Sequence, residues 1–363
     1  MATKNQYFPQ SHPHPGETLQ EKLDEMGMGP KEFAIRTGKP EKTIIAVLKG
    51  QSSITPDMSV EFENVTKIPA SFWMNHQRSY DEYVARLRRQ EVINASIVWA
   101  HHFPLCEMIK KGWLSSTTSI EEKTHELLSF FGVSTPDAWQ NYYLKQELKV
   151  AFRISLAHTN DPYAISAWLR KGELQAAELP TVAYTEQAFK KALPEIKSIM
   201  ANHPADFFKQ LQSLCLEAGV KVVYTPCLPK APINGTTRWL NDTPFIQLTG
   251  RYKRNDAFWF TFFHEAGHIL LHGKKDIFLE NIEYPDKNLE KEQQADDFAI
   301  KWTFSKEEEQ EVIQEGTIDE NALVAFAKKF KTHPAMIIGR LQHDQYISYS
   351  LGRNFFETIN LDN

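Results

Sequence analysis

The sequence predicts a multidomain protein that is mainly α with a small β-sheet, and three observations carry that reading. Short helical patterns punctuated by Gly and Pro fill the first ninety or so residues. Further helical patterns follow without any strong β signal, and three β-rich segments appear only beyond residue 220. The expected domains are 1–92, a five-helix helix-turn-helix domain; 93–200, a helical connector; and 201–363, an α+β domain with a helical tail.

The first helix is expected in ETLQEKLDEMG, where Leu19, Leu23 and Met26 share one side and Gly27 stops the chain. PKEFAIRTG supplies the second. The turn GKP leads into PEKTIIAVLKG, with Pro40 suited to the first helical position and Gly50 to the stop. Thr55 caps and Pro56 starts a fourth helix in TPDMSVEFENVTK, and IPASFWMNHQRSYDEYVARLRRQ is a fifth that ends in a cluster of arginines. In the middle region IEEKTHELLSFFGV and PDAWQNYYLKQELKVAFRISL read as helices. Then VKVVYTP, GTTRWLN and FIQLTG read as short strands, and the helical patterns resume in FWFTFFHEAGHILLHG, LEKEQQADDFAIKW, DENALVAFAKKF and HPAMIIGRLQ.

Composition restricts the function classes. A chain of 363 residues, 42% hydrophobic and 12% aromatic, can build several real cores. Cys106, Cys215 and Cys227 form no Cys-x-x-Cys pair, which argues against a disulfide framework or a thiolate metal site and fits a reducing cytoplasm. MATKNQYFPQSHPHPGE has no apolar signal core, and the most apolar helix is too short for a bilayer and carries His264 and Glu265 at its middle. A net charge of -5 leaves no general basic footprint, so contact with nucleic acid has to come from a local face.

His264 and His268 are four apart on a helix that is otherwise nearly all apolar or small, so both imidazoles point to one side and can grip one ion. Asn255 or Asp256 suits the cap of that helix and Gly273 its stop. This is the His-Glu-x-x-His pattern of zinc hydrolases, in which Zn2+ lowers the pKa of a water to about 7 and Glu265 serves as general base. The competing reading, two core histidines satisfied by polar neighbours, leaves three costly groups buried for no return.

A third ligand is expected downstream, among His272, Glu280, Glu283, Asp286, Glu290, Glu292 and Asp296. Along LEKEQQADDFAIKW, Glu292, Ala295, Ala299 and Trp302 make one stripe, which places the Glu292 carboxylate on an apolar face. Asp296, one turn on, is positioned to take the second N–H of a metal-bound imidazole. The plain alternative is a solvated acidic face. His272 stands two residues short of where a third histidine ligand belongs in the metzincin pattern, which leaves it a role behind the ligands or at the helix end.

FTFFHEAGHILLH followed by EQQADDFA resembles the ImmA/IrrE metallopeptidases over about residues 205–305. The resemblance implies zinc held by His264, His268 and Glu292, Glu265 as the catalytic base, and cleavage of a transcriptional repressor or related regulatory protein. KWTFSKEEE departs from the apolar, Pro-ended stretch usual after the second helix. Residues 15–90, especially PGETLQEKL, GKPEKTIIAVLKGQSSITPD and FWMNHQ, resemble the HigA-like branch of the XRE regulators. That implies a homodimer on operator DNA, with Glu41, Lys42, Thr43, Ala46 and Lys49 of the third helix facing a major groove. Glu17 to Gly50 holds six basic and six acidic residues, so phosphate contacts fall to Arg78, Arg86, Arg88 and Arg89. The expected activity is thus a narrow-specificity zinc endopeptidase tied to a DNA-binding domain. The second reading is an antitoxin-like regulator whose zinc domain is a sensor or scaffold without significant proteolysis.

Overall fold

A computed structural model of the chain describes residues 11–146, 162–231, 233–275, 278–279, 286–316, 318–359 and 361, in two compact units, Met1–Ala95 and Ser96–Asn363. The second half of the helix expected in PDAWQNYYLKQELKVAFRISL lies outside the described residues.

The first unit is helical: α1 (Pro15–Glu25), α2 (Pro30–Thr37), α3 (Glu41–Leu48), α4 (Pro56–Thr66) and the greater part of α5 (Ala70–Ala100), whose last residues belong to the second unit. Its punctuation follows the local chemistry. The His14 side chain accepts from Gly16 N–H while Glu17 reaches back to His14, closing a capping box, and Thr55 accepts from Met58 N–H at the start of α4. Gly38 ends α2 in the left-handed region, which lets the chain reverse into α3. Leu19, Leu23, Phe33, Ile44, Val47, Phe62 and Trp73 form the core.

Two expectations change here. Pro40 is the residue before α3 rather than its first helical residue, since its ψ of 135° is extended. The fifth helix does not stop at the arginines but continues to Ala100, because EVINASIVWA contains no Gly or Pro and the next breaker is Pro104. Arg88 and Arg89 are therefore mid-helix residues, not charges facing a C-terminal dipole.

The second unit opens with α6 (Leu105–Lys110), α7 (Ile120–Phe131) and α8 (Pro136–Trp139), the last running into a π-helical turn, Gln140–Gln146. Then come α9 (Pro162–Glu178), α10 (Glu186–Asn202) and α11 (Phe207–Glu217), strands β1 (Lys221–Tyr224), β2 (Gly235–Leu240) and β3 (Thr243–Leu248), α12 (Asn255–His272), the two-residue edge strand β4 (Phe278–Leu279), α13 (Asp286–Thr303), α14 (Lys306–Gln314), α15 (Glu320–Phe330) and α16 (Pro334–His343). No helix of the described residues is long and apolar enough to cross a membrane.

The sheet is mixed, in the order β1-β3-β2-β4, with β1 parallel to β3 and β2 antiparallel to both β3 and β4. Strand alternation gives it two different faces. Val222, Ile246 and Leu248 join Phe258, Trp259, Phe262 and Phe263 of α12 and the apolar stripes of α10 and α11 in the largest core. On the other face Val223 and Phe245 meet Ala176 of α9. That second face is held by polar groups as well. Buried Arg238 pairs with Glu173 at 2.6 Å and donates to Leu169 C=O, the Gln247 amide donates to Trp168 C=O, and Trp168 Nε1 donates to Thr225 C=O. Helices α9 and α10 of the 93–200 region are therefore packed on opposite faces of the sheet.

Candidate metal centre

Helix α12 is the central rod of the second unit. Its residues from Phe258 to Ile269 are almost all buried, and Gly273 ends it with φ of 72°. It carries no side-chain cap: Arg254 precedes it, and Asn255, expected as a cap, is already helical. The Asn255 carboxamide oxygen accepts instead from the Asp256 and Glu357 backbone N–H groups, tying the helix start to the chain's C-terminal segment.

Within that rod His264, Glu265 and His268 are 2%, 0% and 1% exposed, so all three are held away from bulk water. Helix α13 crosses α12 beside them. Gly267 permits the close approach, because a Cβ there would lie 3.2 Å from Phe298 Cβ and 3.3 Å from Ala295 Cα. The crossing brings in Glu292, whose Oε2 is 3.2 Å from His264 Nε2 and 3.7 Å from His268 Nε2. The two Nε2 atoms are 3.0 Å apart, and one ligand atom from each of the three residues falls within 4.8 Å of the others. Of the other downstream candidates, Glu280 and Glu283 lie outside the described residues.

The far sides of the two rings are also held. Asp296 Oδ1 is 2.9 Å from His264 Nδ1 and accepts its proton. His268 Nδ1 is 3.0 Å from His272 Nδ1, and His272 Nε2 is 3.1 Å from Gln294 Oε1. The amide oxygen can only accept, so His272 Nε2 carries a proton and its Nδ1 receives the one from His268. Each ring thus turns an unprotonated Nε2 towards Glu292, so that a cation there would meet two ring nitrogens and a carboxylate. Electrostatics agree with this donor set. Burial holds the His268 imidazole down at about 4, with Glu292 opposing, which keeps the ring neutral near pH 7. Burial pushes Glu292 up, but the facing His264 and His268 rings outweigh it and hold the carboxyl down at about 2. Two imidazoles and one carboxylate, converging on one point, with both rings backed by hydrogen bonds, fit a divalent cation with positions left for water.

Glu265 sits on the same helix but faces strand β2. Thr237 Oγ1 donates to its backbone C=O at 2.9 Å, and a Cβ on Gly235 would lie 3.0 Å from Glu265 Oε1. The glycine leaves room for the carboxylate. A cavity of about 570 Å³ opens beside His264 and Glu292; its walls include Asn234 and Thr261 near the metal group and Ile300, Phe304 and Met336 further out. None of these wall residues was signalled by the sequence; Met336, for one, is on α16, which reaches the cavity only through tertiary packing. Phe304, in the stretch that departs from the apolar, Pro-ended pattern, is buried, and Ser305 and Glu308 close a capping box that starts α14.

Residues 215–342 match the family model of the IrrE N-terminal-like domain, the M78 peptidases. The N-terminal part is 31% identical over 86 residues to the uncharacterized HTH-type transcriptional regulator YddM of Escherichia coli K12, a match that covers 22% of this chain and 92% of that protein. The chain carries an IrrE N-terminal-like (M78) peptidase domain together with a region similar to an HTH-type transcriptional regulator. Among solved structures it is similar to an addiction module antidote protein of the HigA family from Coxiella burnetii, at 30% identity over 23% of this chain and 95% of that one, with a TM-score of 0.22. It is likewise similar to the Pseudomonas aeruginosa antitoxin HigA solved with the higBA promoter, at 28% identity over 22% and 89%, again with a TM-score of 0.22.

The sequence-predicted residues fall into two sets. His264, His268, Glu292, Asp296 and His272 are brought together around one point, with Glu265 between the two histidines on α12. The residues assigned to DNA lie on the first unit. Glu41, Lys42 and Lys49 are exposed at α3, Thr43 and Ala46 are half-buried on that helix, and Arg78 is exposed on α5. Ile44 and Val47 on the opposite side of α3 are fully buried, which fixes the face that α3 presents. Arg86 is paired with Glu82 at 2.7 Å, which reduces the basic charge α5 offers.

Proposed function

We propose that the chain is a zinc-dependent endopeptidase of narrow specificity whose helix-turn-helix binds operator DNA, and that its substrate is a transcriptional repressor or related regulatory protein. The observation that carries this is the convergence of His264, His268 and Glu292 beside an intact, fully buried Glu265. A structural metal site has no use for a carboxylate between its two histidines, whereas hydrolysis needs a base there. Zinc suits the two-imidazole, one-carboxylate donor set, and when bound it supplies a Lewis acid and lowers the pKa of water to about 7. The chain's own residues do the rest. Glu265 takes a proton from the attacking water on its carboxylate and returns it to the leaving amine, while Asp296 and His272 keep the two imidazoles oriented. The cavity walled by Ile300, Phe304 and Met336 admits a stretch of substrate chain and excludes water from one side of it.

For the first unit, the relative's description as a transcriptional regulator supports operator binding, and the outward face of α3 offers Lys42 and Lys49 for it. A two-fold operator would call for a homodimer.

Glu265→Gln tests the peptidase reading. The variant should hold as much zinc as the wild type and melt at a similar temperature, yet yield no fragments of a regulator encoded beside it when the two are co-expressed and analysed by mass spectrometry. Unchanged cleavage by the variant would sink the reading.

A further inference from the structure

A second cavity, of about 740 Å³, lies at the C-terminal end of α13 and shares no residue with the one beside Glu292. It is walled by α10, the end of α13, and the end of α15 with the residues that follow it. Three lysines line it, Lys197, Lys328 and Lys331, and none of its lining residues is acidic. That is unusual placement in a chain with 46 acidic and 41 basic residues. Glu308, outside the lining, acts on Lys197 and also accepts the Ser305 backbone N–H at 2.7 Å in a capping box. Burial lowers the Lys197 ammonium's pKa; Glu308 opposes that and Lys331 adds to it, so the two cations sit close enough to repel. Ser198, Asn202 and Thr332 add hydroxyl and amide groups, and Trp302, Val324 and Phe330 form an apolar wall. The Trp302 ring is fixed in orientation by parallel stacking on Phe263, at 6.0 Å and 1° between planes.

We infer that this cavity binds a small organic phosphate carrying a flat ring, such as a nucleotide, with the phosphate among Lys197, Lys328 and Lys331 and the ring against Trp302. Like charges gathered without acids are stabilised by a multivalent anion, lysine being a point-charge partner for phosphate. A rigid indole supplies the face on which a flat ring stacks. The volume is that of a small-molecule site rather than a packing defect. Such a ligand would also sit behind the metal group, because Phe263 directly precedes His264 on α12.

Titration calorimetry on the full chain tests this with ADP, adenosine and inorganic pyrophosphate as probes. ADP should bind with a dissociation constant below about 1 mM. Adenosine and pyrophosphate should each bind roughly tenfold or more weakly, having lost the anion or the ring. Lys197→Gln combined with Lys331→Asn should weaken ADP by about tenfold or more, with Asn chosen because position 331 has φ of 53°. Lys328→Glu, an exposed change that spares the fold, should weaken it as well. No heat with ADP, equal binding of adenosine, or undiminished binding by these variants would each overturn the inference. Because zinc content is measured alongside, ADP captured by the metal group would show as binding that the lysine variants leave intact.

Discussion

The metal group on α12 and the outward face of α3 are both sites read from short motifs, but they are built from opposite materials. The first sets three ionisable residues at 2% exposure or less among Phe262, Phe263 and Ala266, where the two imidazoles are oriented by named partners. The second sets lysines and a glutamate in water, with neighbouring basic groups neutralised by ion pairs such as Arg36 with Glu32 and Lys39 with Glu61. Buried polar groups cost several kcal/mol unless something compensates them, so their presence demands an explanation. Exposed charges cost little and demand none. The contrast predicts all-or-none responses in the second unit and graded ones in the first.

Loss of the base should give the largest effect. Glu265→Gln removes only a proton acceptor and should lower the rate of peptide cleavage by about 10²- to 10⁴-fold with zinc content unchanged. A loss of zinc together with activity would show that Glu265 supports the ligands rather than the reaction, and the contrast between the two sites would narrow to structure alone.

Next in size is a stability effect on the sheet face away from the metal. Glu173→Ala leaves Arg238, 5% exposed at its side chain, without its carboxylate partner. A broken buried pair of this kind costs about 3–5 kcal/mol, so the second unit should melt well below the wild type in a scan monitored by circular dichroism. An unchanged melting temperature would mean that α9 does not contribute to the stability of the sheet it covers.

Asp296→Asn tests the hydrogen bond behind the ligands. The amide keeps the shape of the carboxylate but is a weaker acceptor for the His264 Nδ1 proton, and zinc affinity measured against a competing chelator should fall by about 10- to 100-fold. Equal affinity would place Asp296 among the solvated acids of α13. Removing the metal from the wild type with a chelator should reproduce the inactive state and be reversed by adding zinc back.

What the sequence made legible follows the same division. His264 and His268 stood out because an i, i+4 pair in an apolar helix has one economical use, and Glu292 because a carboxylate on the stripe of Ala295 and Ala299 is out of place. The three strands were readable from β-branched and aromatic runs between turn residues. The end of α5 was not, because a cluster of arginines resembles a C-terminus only until EVINASIVWA is given its full helical weight. Met336 and Arg340 were invisible as cavity walls, since a helix more than forty residues beyond the ligands carries no local sign of what it will face. The lysine cavity was likewise unreadable: Lys197, Lys328 and Lys331 belong to separate patterns that meet only in the folded chain.

The smallest predicted effect is on α3, and its form matters more than its size. Lys42→Ala removes an exposed charge with no buried partner, so the first unit should keep its melting temperature, surface substitutions away from special features usually costing within about 0.5 kcal/mol. If Lys42 meets a phosphate, operator affinity in a gel shift should fall by a similar factor on all sequences, and the slope of log affinity against log salt should drop by about 1. If it meets a base edge, one operator position should instead lose its preference while the salt slope stays the same. Either outcome keeps α3 as the recognition helix and says how it reads DNA. Unchanged affinity and slope in Lys42→Ala combined with Thr43→Ala would remove the helix from the interface, leaving the buried site as the one whose chemistry its residues compel.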